Sequence, residues 1–182
     1  MESLRLSRDR AVVVLVDVQE RLFAHIYENQ QLERNLLRLL QGLQILELPI
    51  VVTQQYTRGL GPTIPALQRL FDTPALEKMH FSCCGSAEFN QAVDTAKTVI
   101  LCGIEGHVCV MQTALDLLAQ GKRVVWVDDC IGSRRPSDKA LALQRLLPHG
   151  LVPASTESLL LELCEISGTP EFKAISGLIK EI

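Results

Sequence analysis

The chain has 182 residues, 47% hydrophobic and 21% charged, with a net charge of −3 and six cysteines. It has no run of Lys or Arg and only 4% aromatics, which disfavours a nucleic-acid face and a base-stacking surface. Residues 1–10 lack the apolar core of a secretory signal, and no stretch holds about 18 uninterrupted apolar residues, so no membrane span is expected. Cysteines without a Cys-x-x-Cys pair read as reduced thiols. The expectation is a cytoplasmic protein with one domain over residues 1–182.

Residues 11–16 are six apolar residues ending at Asp17, the pattern of a parallel strand buried on both faces with a carboxylate at its C-terminal end. Leu32, Leu36, Leu39, Leu40, Leu43 and Leu46 recur at helical spacing and predict an amphipathic helix over 29–47 that Pro49 ends. A second strand is expected over 50–54 and a loop over 55–65, where Gly59, Gly61 and Pro62 are turn signals. A short helix is expected at 66–71, a weak strand at 77–82, and a helix over 87–96 capped by Ser86.

Residues 98–103 predict the next strand and 108–120 a helix stopped by Gly121. A strand over 123–127 ends in Asp128-Asp129, followed by a helix over 137–147 and a brief edge strand at 150–153, where Pro153 is tolerable. Helices over 155–166 and from Thr169-Pro170 to about Lys180 complete the chain. Alternating strands and helices imply a three-layer, doubly wound α/β fold: a six-stranded parallel sheet of order 3-2-1-4-5-6 with helices on both faces. Such folds bind ligands beyond the strand C-termini where the order reverses. Asp17 and the turn before Cys109 meet there.

A thiol at a helix start is expected to lose its proton more easily and become nucleophilic. Asp17 would be its general base, and Lys78, between the apolar Leu76, Met79 and Phe81, would stabilise developing charge. Each residue also has a plainer reading. Cys109 can be a small core hydrophobe, Asp17 a strand-end carboxylate held by backbone amides, and Lys78 a snorkelling surface cation. His107, two residues before Cys109, is an alternative base. Cys102, Cys130 and Cys164 sit in apolar contexts and read as core, whereas Cys83 and Cys84 read as an exposed loop. His25, His80, His107 and His149 make no metal-ligand pattern, and 103–106 is not a GxGxxG loop. No metal or cofactor is expected.

Asp17-Val18-Gln19, Lys78 and the run from Gly103 to Val110 resemble the isochorismatase-like cysteine hydrolases over nearly the whole chain. Gln54-Gln55-Tyr56, Gly59 to Thr63, Phe172-Lys173 and Ile179-Lys180-Glu181 are most similar to the isochorismatase-domain-containing subgroup. The resemblance implies an Asp17–Lys78–Cys109 triad, a non-proline cis peptide at Ile104–Glu105, and an oxyanion hole from the Glu105 and Cys109 N–H groups. Relatives that hydrolyse nicotinamide carry an Asp-x-His metal site where this chain reads Thr53 to Arg58. True isochorismatases lack the cysteine. The implied activity is therefore hydrolysis of a small amide or related acyl compound through a thioester on Cys109. Gln19 would orient Asp17, and Gln19, Phe23, Tyr56, His107 and Arg134 are the candidates for contacting substrate. The resemblance also implies a homo-oligomer, a dimer or tetramer. Two other readings stay open: a catalytically silent scaffold with this fold, and a thiol redox sensor, which needs a resolving cysteine near Cys109.

Overall fold

In the computed structural model, which describes residues 4–180, chain order runs β1 (Ala11–Val16), α1 (Glu20–Phe23), α2 (Asn29–Ile45), β2 (Ile50–Gln55), α3 (Thr57–Leu60), α4 (Pro65–Gln68) and β3 (Leu76–Lys78). Then come α5 (Ala87–Val93), β4 (Thr98–Ile104), α6 (Met111–Ala119), β5 (Arg123–Gly132), α7 (Pro136–Leu146), β6 (Val152–Ala154), α8 (Thr156–Cys164) and α9 (Pro170–Lys180). Residues 1–3 of the N-terminal stretch and Glu181 of the subgroup motif lie outside the described residues. The strands form one parallel sheet of order β3-β2-β1-β4-β5-β6, as the alternating pattern predicts. No helix among the described residues is long and apolar enough to cross a membrane.

The alternation along β1 builds both faces. Ala11, Val13 and Leu15 point into a core shared with α2, α8 and Ile175 of α9. Val12, Val14 and Val16 point into a second core with Phe89 of α5, Ala114 and Leu117 of α6, and Ala142 and Leu146 of α7. Successive strand side chains face opposite ways, so a strand coated on both sides has no polar position until its end. That end is Asp17.

The structure departs from the expected elements in several places. The loop after β2 contains the helical turn α3, and β3 ends at Lys78, with the chain turning into a 3-10 turn at Cys83–Gly85. The strand expected to end at Val127 continues to Gly132. Leu101 pairs with Trp126 but Gly103 pairs with Ile131, a bulge around Asp128-Asp129. Before the bulge Val125 and Val127 face the first core; after it Cys130 does, and Ile131 faces the second. An irregularity that swaps the sides of a strand this way hides it from a period-2 pattern. Finally, Cys109 lies in a π-helical turn, Gly106–Val110, which precedes α6.

Candidate active site

Three strand ends and one helical turn bring the chemistry together. Asp17 follows β1 in a left-handed conformation, φ 50°, unusual for a residue with a side chain, and is 1% exposed. Its Oδ2 accepts from Lys78 Nζ at 2.6 Å and its Oδ1 from Thr53 Oγ1 at 2.8 Å. Lys78 ends β3 and is equally buried; its ammonium also donates to Gln55 Oε1 at 3.1 Å and to the carbonyls of His80 and Phe81 at 3.2 and 3.1 Å. Burial opposes the charge on Lys78, but Asp17 and the neighbouring Cys83 and Cys109 outweigh it and hold the ammonium above its ordinary value.

Cys109 is 6% exposed and its thiol donates to Gln55 Oε1 at 3.0 Å. Burial pushes this thiol well above its ordinary value; the charge and hydrogen bond of Asp17 push the same way, against Lys78. The expected depression of the thiol by a helix N-terminus is overturned. Desolvation and a facing carboxylate outweigh a partial dipole charge, and Cys109 sits in the π turn. The resting group is a thiol, so attack on a substrate requires a base to take the proton.

The main chain around the turn is closely fitted. Gly103 adopts φ +114°, and a Cβ there would lie 2.2 Å from the Val16 carbonyl oxygen. The Ile104–Glu105 peptide is cis. The Glu105 carbonyl accepts from both Val108 N–H at 3.0 Å and Val110 N–H at 3.2 Å, with Cys109 between them.

The residues named as substrate contacts take different places. Gln19 is fully buried: its Nε2 donates to the carbonyls of Gln55 and Gly61 at 3.1 and 2.6 Å, and its Oε1 accepts from Gln55 N–H at 2.8 Å. Its amide therefore clamps the tip of β2, and its own N–H donates to the Asp17 carbonyl at 2.7 Å. Phe23 is buried in the first core, and Tyr56 is half exposed just past β2. His107 Nδ1 lies 3.1 Å from Ser133 Oγ, and its Nε2 lies 3.8 Å from Glu105 Oε2 and 4.0 Å from Asp138 Oδ2. Nδ1 is thus engaged by Ser133, while Nε2 faces the two carboxylates beyond hydrogen-bond distance. Arg134, largely exposed, donates through Nε to the buried Glu105 carboxylate at 2.8 Å.

Cys83, expected in an exposed loop, is a further correction. It is fully buried, and burial raises its thiol to about 12, with Asp17 adding to the rise. Its N–H donates to Thr113 Oγ1 at 2.9 Å, and that hydroxyl donates to the Cys109 carbonyl at 2.7 Å. Its Sγ lies 3.8 Å from Thr53 Oγ1, which in turn holds Asp17. Cys83 thus links the backbone of Cys109 to the carboxylate of Asp17. Sequence reasoning missed Thr53, Gln55, Cys83 and Thr113 as parts of the site; position at the C-terminal end of β2 was the available signal for the first two. Among the described residues no cluster of His, Cys, Asp or Glu is gathered as a metal site.

The model of the isochorismatase domain matches residues 11–158. The chain belongs to the isochorismatase family. Isochorismatase domain-containing protein 2 of Danio rerio is 36% identical to it over 176 residues, covering 96% of this chain and 89% of that protein. The structure of the MAR1 ribonuclease from Caenorhabditis elegans has a TM-score of 0.91 and 33% identity, covering 96% of this chain and 92% of that one. YcaC from Pseudomonas aeruginosa, described with hexane-2,5-diol and covalent acrylamide, has a TM-score of 0.90 and 26% identity, covering 98% and 93%. The family points to a hydrolase, and in this isochorismatase-family member the buried polar groups lie at the switch point between β1 and β4.

Proposed function

We propose that this chain is a cysteine hydrolase that cleaves a small amide or related acyl compound through a thioester on Cys109. The observation that carries the reading is the buried Asp17–Lys78 pair at 2.6 Å beside a thiol that hydrogen-bonds into the same cluster. As sulfur attacks the carbonyl carbon, Asp17 takes the thiol proton, and the N–H groups of Glu105 and Cys109 receive the oxyanion. Asp17 passes that proton to the leaving nitrogen as the C–N bond breaks, leaving a thioester and a free amine. Asp17 then takes a proton from water as its oxygen attacks the thioester, and returns it to the departing sulfur, giving a carboxylic acid and the original thiol. Lys78 keeps the site charge-balanced while Asp17 changes protonation. The covalent acrylamide in YcaC supports the reading, because acrylamide is a small electrophilic amide.

The proposal includes a small-molecule substrate, action in the cytoplasm and self-association as a dimer or tetramer, the last checked by light scattering. Ammonia or amine release from a panel of small amides tests the chemistry. Cys109→Ala is expected to abolish release and any covalent adduct at position 109, and full activity in that variant ends the reading.

A second reading, RNA cleavage, is favoured by the likeness to a protein described as a ribonuclease. Incubation of labelled RNA with wild-type and Cys109→Ala protein separates the two. Equal RNA cleavage by both, without amide hydrolysis, selects the second.

A further inference from the structure

We infer that Gln55 recognises the substrate beside Cys109, its side-chain NH2 donating to an acceptor atom two bonds from the carbon that sulfur attacks. This rests on the reading of Cys109 as the nucleophile and narrows what that nucleophile accepts.

The orientation of the Gln55 amide is dictated by its neighbours. An ammonium can only donate, so the group 3.1 Å from Lys78 Nζ is the amide oxygen. The same oxygen takes the Cys109 S–H at 3.0 Å. The NH2 therefore points away from Lys78, and it has no partner among the described residues, although Gln55 itself is only partly buried. The backbone of Gln55 is fixed on both sides by the buried Gln19, through N–H at 2.8 Å and carbonyl at 3.1 Å. A donor held this firmly is a preorganised recognition group.

Reach decides what it can recognise. The nitrogen and oxygen of an amide are about 2.2 Å apart, which places the Gln55 nitrogen within about 5 Å of the Cys109 sulfur. A carbon poised for attack sits about 3–3.5 Å from that sulfur. An acceptor two bonds from that carbon can come within hydrogen-bond distance of the NH2. The substrate class is thus a small acyl compound carrying a carbonyl, hydroxyl or ring-nitrogen acceptor next to the scissile group. An amide with a bare alkyl chain leaves the donor unpaired.

Two alkylating probes test this on the whole protein without knowledge of the substrate. Iodoacetamide carries a carbonyl beside the carbon attacked and allyl bromide carries none. In both, sulfur displaces halide as the thiol proton leaves to solvent, and adducts at Cys109 are quantified by peptide mass spectrometry. The ratio of the two rates cancels the intrinsic reactivity of the thiol. Gln55→Glu keeps the acceptor oxygen and shape but removes the donor; Gln55→Leu removes both. The iodoacetamide-to-allyl-bromide ratio is expected to fall about tenfold in each variant, the effect of one hydrogen bond. An unchanged ratio in folded Gln55→Glu overturns the inference and leaves the nucleophile standing. Failure of both probes to label Cys109 in the wild type overturns both.

Discussion

Asp17 touches every part of the proposed chemistry, and its two effects on Cys109 have opposite consequences. Its negative charge and hydrogen bond help keep the thiol protonated, yet in the proposed mechanism it is the group that removes that proton. Asp17→Asn is therefore expected to lower the thiol's pKa, read from the pH dependence of alkylation at Cys109, while reducing amide hydrolysis by about 10²–10⁴-fold, the contribution of a positioned base. A more acidic thiol that is a worse catalyst distinguishes a lost base from a merely disturbed site. Asp17, Lys78 and Cys109 were legible in the sequence because each stands in an apolar context or at a predicted strand end. Gln55 and Cys83 were not. Gln55 matters through an oxygen aimed by contacts from β3 and the π turn, and Cys83 is buried by Thr53 and Thr113, residues about 30 positions away in the chain.

At the scale of elements, β1 and β4 set the spacing between Asp17 and Cys109. They pair in register from Ala11 with Thr98 to Val16 with Gly103, so Asp17 and the turn carrying Cys109 leave the sheet together. Gly103 permits the approach: a Cβ there would meet the Val16 backbone, which cannot yield as a side chain could. Gly103→Ala is expected to cost at least ~2 kcal/mol, from the clash and the positive φ together. Urea unfolding reads this cost, and a midpoint matching wild type overturns it. Strands such as β1 could be read from the sequence because unbroken packing on both faces leaves an unbroken apolar run. The second half of β5 could not: Asp128 and Asp129 interrupt the run at the bulge, and the residues beyond exchange faces. The turn α3, only four residues long, is too short for a helical period to register.

For the molecule as a whole, the two cores on either side of the sheet hold thiols as well as hydrocarbon. Cys83, Cys102, Cys109 and Cys130 are buried, and burial raises each above the ordinary value of 9.0. In the unfolded chain these thiols ionise as pH passes 9, while the folded protein keeps their protons. Lys78, raised above 10.5, likewise holds its proton longer when folded. The native state therefore binds more protons in alkali, and stability falls with pH by about 1.4 kcal/mol per unit for each proton so retained. Urea midpoints are expected to hold up to about pH 8 and drop between pH 9 and 11; a flat profile across that window contradicts this.

The Gln19 clamp has a consequence for motion. The tip of β2 runs into a segment rich in glycine and proline, where strand ends ordinarily fray. One buried side chain substitutes there for a missing neighbouring strand, taking the N–H and carbonyl of Gln55 as a sheet partner would and fastening Gly61 as well. The Gln55 amide proton should then exchange with solvent deuterium at a core-like rate, far more slowly than its position at a strand end suggests, and Gln19→Ala should release it. Rigidity at this strand tip is supplied from the side, by an amide borrowed from the loop after β1.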